Sequence, residues 1–128
     1  MPAYDTAQFN PPAPLAQVIL RNPDTGVTIP DVLMLLDTGA DVTLVPQKAI
    51  HLLGIPPIQD TYYELNSFDN SKSLAAIVRL ELLFADRTYR GQFLLINQEY
   101  GILGRNILNT ISLLLDESRL TWDIQRLT

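Results

Sequence analysis

The sequence predicts an all-β domain, a small closed β-barrel or sandwich with one or two short helices. Short stretches rich in Leu, Ile and Val recur along most of the chain, and clusters of Asn, Asp, Pro, Gly and Ser separate them. Helix signals are confined to two short stretches. Because the chain has 128 residues, it has the size of one domain built around one hydrophobic core.

The N-terminal segment differs in composition from the rest of the chain. Its small and polar residues are interrupted by four prolines, Pro2, Pro11, Pro12 and Pro14. This composition favours an extended arm or a disordered leader over a packed element. We therefore divide the chain into a Pro-rich N-terminal arm, residues 1–14, and one domain, residues 15–128.

A β-hairpin is predicted at the start of the domain. Residues 17–21 and 27–36 are rich in Leu and β-branched side chains, which favour strands. The sequence between them, Asn22-Pro23-Asp24-Thr25-Gly26, is a dense turn signal.

Further short strands and two short helices follow this hairpin. The first helix is predicted between Pro46 and Gly54, because Pro is favoured in the first turn of a helix and Gly just past the last. The second helix is predicted at residues 105–110. The remaining strands are predicted at residues 42–45, 61–65, 74–84, 88–96, 111–115 and 120–124, and the last two form a second hairpin.

Composition and charge exclude several classes of function. The formal net charge is −5 and the nine Lys and Arg residues are scattered, whereas nucleic-acid binders carry a basic patch. The chain has no cysteine, which excludes disulfides, thiolate catalysis and Cys-ligated zinc. His51 is the only histidine and has no serine or metal partner within sequence reach, so Ser-His-Asp chemistry is not expected.

Membrane and targeting signals are not found in the sequence. The N-terminal Met-Pro-Ala-Tyr-Asp has neither the basic region nor the apolar core of a signal peptide. The longest apolar runs, at residues 32–36 and 113–115, are too short to cross a bilayer. We expect a cytoplasmic protein that binds neither membranes nor nucleic acid.

The segment Leu35-Leu36-Asp37-Thr38-Gly39-Ala40-Asp41 is the strongest candidate for chemistry. A run of apolar residues leads directly into Asp37, so this carboxylate emerges from a buried strand. Gly39 allows the backbone to turn sharply, and the hydroxyl of Thr38 can form a hydrogen bond locally or across an interface. A strand that ends in an ordinary Asp-Gly type turn is the alternative interpretation of these residues.

A second Asp-Thr-Gly tripeptide in the same chain provides a control. Asp24-Thr25-Gly26 follows Asn22-Pro23 in a polar turn, and no apolar strand leads into it. The two copies begin at residues 24 and 37, which is too close for each to belong to a lobe of its own. We interpret the first copy as a solvated turn and the second as the candidate site.

Another informative segment, Ile102-Leu103-Gly104-Arg105-Asn106, follows Tyr100-Gly101. Two apolar residues, then Gly, then a helix that opens with Arg form a specific arrangement. Together with residues 35–41 upstream, it resembles the retropepsins, the aspartic peptidases of retroviruses and of their cellular and bacterial relatives. The resemblance covers residues 17–115 and implies a closed barrel of the retropepsin (acid protease) type that is active as a symmetric dimer.

This resemblance implies roles for individual residues. Asp37, Thr38 and Gly39 would be catalytic, with the Thr38 hydroxyl bonding across the dimer and the Gly39 carbonyl contacting the substrate backbone. The substrate-binding residues would be Ala40, Asp41, Val42, Leu44, Phe68, Gly101 and Ile102. Among these, Phe68 would lie near the tip of the flap, the hairpin that covers the substrate.

Structural support of the site is expected from Asp41, Arg105 and Asn106, with an ion pair between Asp41 and Arg105 behind the catalytic loop. The sequence also departs from the retropepsins, because their flaps are often rich in glycine and residues 65–73 contain none. The N-terminal arm and the C-terminal hairpin extend beyond the viral pattern. The dimer sheet, which is usually woven from both termini, can therefore be built differently here.

The resemblance implies an aspartic endopeptidase that hydrolyses peptide bonds. One Asp-Thr-Gly site per chain supplies one carboxylate, and a homodimer supplies the second, because a two-fold axis brings each residue against its own copy. The expected partners are a second copy of the chain and a peptide or protein substrate, and no metal or cofactor is needed. A catalytically weak dimer of the same fold, acting as a peptide-binding or assembly module, is the alternative that the glycine-free flap favours.

Overall fold

The computed structural model of the protein describes residues 2–59, 61–66 and 72–125. Its elements are β1 (Leu15–Arg21), β2 (Thr28–Leu36), β3 (Leu44–Pro46), α1 (Gln47–Leu53), β4 (Tyr62–Asn66), β5 (Lys72–Phe84), β6 (Arg87–Ile96), β7 (Gly101–Leu103), α2 (Arg105–Leu108), β8 (Ser112–Asp116) and β9 (Thr121–Gln125). No helix of the described residues is long and apolar enough to cross a membrane.

Six strands form a closed barrel. Their order around the ring is β1, β2, β7, β3, β6 and β5, and the pairing of β5 with β1 closes it. β4 extends the sheet beyond β5, and β8 pairs with β9 in a separate two-stranded sheet. The predicted all-β fold with two short helices is confirmed.

The strands of the first hairpin lie where the alternation of apolar and polar residues predicts them. β1 and β2 form the predicted antiparallel hairpin, and Val18, Leu20 and Met34 point from them into the barrel with at most 1% of their surface exposed. The first helix ends at Gly54 as expected. β7 was not predicted, because a strand of three residues is too short to show an alternation.

Among the residues that the structure describes, two apolar clusters form the interior. The larger one fills the barrel and extends beneath α1 and the C-terminal hairpin. The smaller one, called here the second apolar cluster, lies between β3, β5, β6 and β7. Its buried members are Leu44, Ala75, Ile77 and Leu94, and Val42, Ile58, Leu65, Ile96 and Ile102 pack against them.

The N-terminal arm packs against the C-terminal hairpin, so the expectation of an unpacked arm was wrong. Ala3 forms a β-bridge with Thr121, and the Tyr4 amide donates to the Leu120 carbonyl at 2.7 Å. Tyr4 is 5% exposed, and its hydroxyl donates to Glu117 Oε1 at 3.0 Å. Burial, with the Glu117 carboxylate adding to it, raises the pKa of Tyr4 to about 12. Composition alone missed this contact because one aromatic residue anchors an otherwise polar segment.

A charged network lies on the outer face of the barrel. Glu81 on β5 is paired in register with Arg21 on β1 and with Arg90 on β6. Its Oε1 accepts a hydrogen bond from Arg21 Nε at 2.8 Å, and its Oε2 contacts Arg90 Nε. The hydrogen bond from Arg21 is the main reason why the pKa of Glu81 lies below its ordinary value, and the charges of both arginines add to it.

Candidate active site

Backbone hydrogen bonds hold the loop that carries Asp37, directly after β2. The Asp37 amide donates to the Leu103 carbonyl at 3.1 Å, and the Ala40 amide donates to the Asp37 carbonyl at 3.2 Å. The Gly39 amide donates to Asp37 Oδ1 at 3.0 Å. Asp37 is half-buried, whereas Thr38 and Gly39 are exposed. The loop therefore presents one oriented carboxylate at the surface of the barrel.

The segment Gly104-Arg105-Asn106 lies against this loop because β2 and β7 are parallel neighbours. The two strands end in register, so the residues that follow them leave the barrel side by side. The Arg105 amide donates to the Ala40 carbonyl at 2.8 Å. A Cβ at Gly104 would lie 2.6 Å from the carbonyl carbon of Val42 and 3.0 Å from the carbonyl oxygen of Ala40. Only glycine fits this approach between the two segments.

Thr43 joins the Asp37 loop to the segment Gly104-Arg105-Asn106, and it was not predicted from the sequence. Thr43 is 2% exposed. Its hydroxyl donates to Asn106 Oδ1 at 2.7 Å and accepts a hydrogen bond from the Gly104 amide at 3.1 Å. The sequence contains one signal that could have indicated Thr43. It carries the single hydroxyl between Val42 and Leu44 in an otherwise apolar strand, and a buried hydroxyl needs hydrogen-bond partners.

A model of the family described as "Retroviral aspartyl protease" matches residues 11–116. The chain belongs to the retroviral aspartyl protease family. A solved structure of EIAV protease in complex with the inhibitor HBY-793 has a similar fold, with a TM-score of 0.55, 20% identity, and coverage of 77% of this chain and 86% of that one. None of the curated proteins compared with the chain matches it. The predicted retropepsin-like fold is confirmed, and retropepsins act as homodimers that bind peptide substrates.

The ion pair expected between Asp41 and Arg105 is not formed in this member of the retroviral aspartyl protease family. Both residues are exposed, and neither takes part in the ion pairs that connect described residues. An exposed pair gains little from its attraction, because water screens both charges. The amide of Arg105 and the side chain of Asn106 hold the loop, and the guanidinium does not.

Three of the predicted substrate-binding residues, Val42, Leu44 and Ile102, lie together in the second apolar cluster. Leu44 and Ile102 are direct partners of β3 and β7. Leu65 on β4 packs against the same cluster and was not predicted as a site residue, although it directly precedes the turn in which the flap was expected. These four side chains, called here the apolar wall, belong to one cluster, and Val42 follows the Asp37 loop directly in the chain.

The other predicted site residues have different surroundings. Ala40 and Asp41 belong to the Asp37 loop, and Gly101 is buried on β7 against the Met34 side chain. Phe68 lies outside the described residues. The described part of the chain contains no group of three or more His, Asp or Glu residues that could hold a metal ion.

Proposed function

We propose that the protein is an aspartic endopeptidase whose active site contains two Asp37 carboxylates, one from each subunit of a homodimer. The observation that carries this proposal is the loop itself. It fixes one half-buried carboxylate by the Gly39 amide at 3.0 Å and is joined to the Arg105 amide at 2.8 Å. A loop fastened by backbone bonds on both sides can hold a reacting group in a fixed position, which catalysis requires.

The mechanism follows from the electrostatics of two close carboxylates. They cannot both be ionised at short distance, so the pair shares one proton, as in aspartic proteases generally. The ionised Asp37 takes a proton from a bound water, and the protonated copy polarises the scissile carbonyl. Thr38, exposed beside each carboxylate, would bond across the dimer and hold the pair. Since a shared proton is required, we expect turnover to be highest in the acidic range.

The substrate proposed is an extended peptide with apolar side chains beside the scissile bond. The apolar wall of Val42, Leu44, Leu65 and Ile102 supports this choice, because burying such side chains against the wall contributes favourable free energy. The Gly39 carbonyl, in the exposed part of the loop, would accept hydrogen bonds from the peptide backbone. Ala40 and Asp41, next in the loop, would bound the same subsites.

The alternative function is a dimer of the same fold that binds peptides or assists assembly with little turnover. Residues 65–73 contain no glycine, which favours a flap that closes less readily than a glycine-rich one. The alternative keeps peptide binding and the dimer but removes hydrolysis.

The chain contains its own matched control for a test. A library of peptides is incubated with wild type, with Asp37→Asn and with Asp24→Asn at acidic and neutral pH. We expect Asp37→Asn to lower the cleavage rate by about 100-fold to 10,000-fold, the usual contribution of general acid-base catalysis, and Asp24→Asn to leave it unchanged. Equal losses from both variants would contradict the proposal. Peptide binding without cleavage by wild type would support the alternative.

A further inference from the structure

Residues 97–100, called here the β6–β7 loop, connect two strands of the barrel and have few contacts that hold them. In the part of the chain that the structure describes, none of the backbone hydrogen bonds of turns and loops involves these residues. A groove of about 940 Å³ lies between this loop, α1 and the start of β2, so open space adjoins the loop on that side. Asn97, Gln98 and Glu99 are exposed, and Tyr100 is half-buried.

An aromatic contact with the N-terminal arm holds this loop at Tyr100. The ring of Tyr100 meets the ring of Phe9 edge to face, with 4.8 Å between the ring centroids and 62° between the planes. This geometry is favoured for aromatic pairs, which stabilise a protein beyond the area that they bury. Both side chains are half-buried. The arm therefore supplies the support that the loop does not receive from backbone hydrogen bonds.

Phe9 is itself held in place by the rest of the arm. The Asp5 amide donates to the Ala13 carbonyl at 2.7 Å, and the Ala13 amide donates to the Asp5 carbonyl at 3.1 Å, which closes the intervening residues into a loop. The Gln8 amide, next to Phe9, donates to Asp5 Oδ1 at 2.7 Å. Tyr4 anchors the base of the arm on the C-terminal hairpin. Phe9 is thus a fixed point against which the β6–β7 loop rests.

We propose that Phe9 is a positioning residue of the substrate-binding site and acts through Tyr100 on the start of β7. Tyr100 is followed directly by Gly101 and Ile102, and Ile102 belongs to the apolar wall. This inference rests on the proposed function, in which that wall binds the apolar side chains of a peptide. In this role Phe9 does not touch the substrate and instead fixes where the wall lies.

Close packing at Gly101 connects the position of Tyr100 to the wall. Gly101 is buried, and a Cβ added there would overlap the Met34 side chain and the Leu44 carbonyl oxygen. Leu44 is the cross-strand partner of Ile102 and lies in the same wall. Because close-packed interiors transmit displacements, a shift of Tyr100 moves Leu44 and Ile102 rather than ending at Gly101.

The expected signature of this role is a loss of selectivity for large apolar substrates. The wall contributes binding free energy to a leucine beside the scissile bond and much less to an alanine, which has less apolar surface to bury. A contact with a side chain that does not react is made equally in the bound substrate and in the transition state. Its loss therefore raises KM and leaves kcat unchanged.

A double-mutant cycle tests this signature. Phe9→Ala, Tyr100→Ala and the double variant are compared with wild type on two peptides that differ only in a leucine or an alanine beside the scissile bond. We expect Phe9→Ala to raise KM for the leucine peptide roughly 3-fold to 10-fold, the range that one aromatic pair contributes. Neither kcat nor KM for the alanine peptide should change. In the Tyr100→Ala background, Phe9→Ala should have no further effect, because Phe9 acts through Tyr100.

Two further variants serve as controls for the cycle. Gln8→Ala removes an exposed neighbouring side chain of the same arm and keeps the backbone amide that bonds Asp5, so it should behave as wild type. Phe9→Tyr keeps the aromatic ring and should retain the wild-type KM for the leucine peptide. Should Phe9→Ala fail to fold, Phe9→Leu takes its place, because leucine keeps apolar bulk and loses the edge-to-face contact.

Measurements without turnover separate this inference from the proposed function. Amide hydrogen exchange of residues 97–101 reports the local opening of the β6–β7 loop without any substrate. We expect these amides to exchange faster in Phe9→Ala than in wild type and in Gln8→Ala, with the C-terminal hairpin unchanged. Titration of Asp37→Asn with the leucine peptide, with and without Phe9→Ala, measures the effect on binding alone, and we expect the affinity to fall by the same factor by which KM rises.

Four outcomes would overturn the inference: unchanged exchange in Phe9→Ala, unchanged affinity for the leucine peptide, equal losses on both peptides, or a full effect of Phe9→Ala in the Tyr100→Ala background. Equal losses would mean that Phe9 only stabilises the fold. A protein that binds the peptides without cleaving them would contradict the proposed function, and exchange and titration would then decide this inference. A cleaving enzyme with unchanged exchange in Phe9→Ala would do the reverse.

Discussion

The two Asp-Thr-Gly tripeptides of this chain have the same sequence and are held by different contacts. Asp24-Thr25-Gly26 lies in the turn between β1 and β2, and all three residues are exposed. Asp37-Thr38-Gly39 lies one strand later, at the end of β2. The difference between them shows which features make such a tripeptide a candidate active site.

The hydrogen bonds within the first turn are local, and Asn22 also anchors the turn to the end of α1 by donating from Nδ2 to the Leu53 carbonyl at 3.1 Å. Asn22 Oδ1 accepts from the amides of Asp24 at 2.9 Å and Thr25 at 3.4 Å, and the Gly26 amide donates to the Asn22 carbonyl at 2.8 Å. Gly26 has a φ of +77°, and an added Cβ would meet no atom within 4 Å. Glycine is needed here for the backbone conformation alone, as in many turns.

The second loop depends on contacts with residues far away in sequence. Its Asp37 amide bonds to Leu103, and Gly104 and Arg105 approach its backbone so closely that Gly104 has room for no side chain. Glycine is needed here because two backbones meet. The tripeptide is therefore not sufficient for a site, and the contact with the end of β7 distinguishes the second copy from the first.

Replacing the two glycines with alanine gives the largest expected difference between the loops. In Gly104→Ala, the Cβ would overlap the backbone of Val42, and relieving this overlap requires a backbone shift. We expect a loss of about 3 kcal/mol or more in the free energy of unfolding. Gly26→Ala strains only φ and should lose about 1 kcal/mol. Chemical denaturation at one fixed chain concentration measures both, and equal losses would remove the distinction between the loops.

Replacing one threonine at each loop, Thr43 and Thr25, is expected to give a smaller difference in stability. Thr43→Val keeps the shape of the side chain but leaves the Gly104 amide and Asn106 Oδ1 without their partner, which should cost about 1–3 kcal/mol. Thr25 Oγ1 only accepts from the exposed Val27 amide at 3.3 Å, and water can replace it. Thr25→Val should therefore change stability by no more than about 0.5 kcal/mol.

The proposed peptidase activity provides a second measurement on Thr43→Val. Because Thr43 holds the segments together without facing solvent, its loss should lower activity along with stability. Full activity in a destabilised Thr43→Val would mean that the loop keeps its position without this bond.

Sequence reasoning succeeded where a local pattern carries the information. The hairpin of β1 and β2, α1 and the C-terminal hairpin follow from periodicity and turn residues. The choice of Asp37 over Asp24 rests on the apolar strand before it and stays a prediction. Thr43 and the packing of Tyr4 were missed, because each depends on a contact distant in sequence. Thr43 bonds to residues 104 and 106, and Tyr4 to Glu117.

The error about Asp41 and Arg105 had a different cause. Their order and spacing placed both residues beside the same loop, and the structure does so as well. Spacing does not determine where a long side chain points, and both of these charged groups are exposed to solvent. An ion pair was expected to hold the Asp37 loop, whereas backbone hydrogen bonds and the Thr43 hydroxyl hold it.

Because the Arg105 side chain does not brace the loop, Arg105→Lys has the smallest expected effect on stability. The amide of Arg105 bonds to the Ala40 carbonyl in either variant, and the exposed guanidinium forms no ion pair with another described residue. We expect the free energy of unfolding to change by no more than about 0.5 kcal/mol. The matched control is Arg21→Lys, because Arg21 donates through Nε to Glu81 at 2.8 Å, and a lysine has no donor at that position of the side chain.

The pH dependence separates the two arginine variants. Arg21 lowers the pKa of Glu81 in the folded state, so its contribution to stability is present above the unfolded pKa of the carboxyl and is lost as pH falls through the folded pKa. Arg21→Lys should therefore be less stable than wild type at neutral pH, and the difference should shrink in acid. Denaturation curves for Arg105→Lys should match wild type at both pH values. A deficit for Arg105→Lys that also disappears in acid would mean that its guanidinium pairs with a carboxylate after all, and Asp41 would be the residue to test, since it lies in the loop that the Arg105 amide already holds.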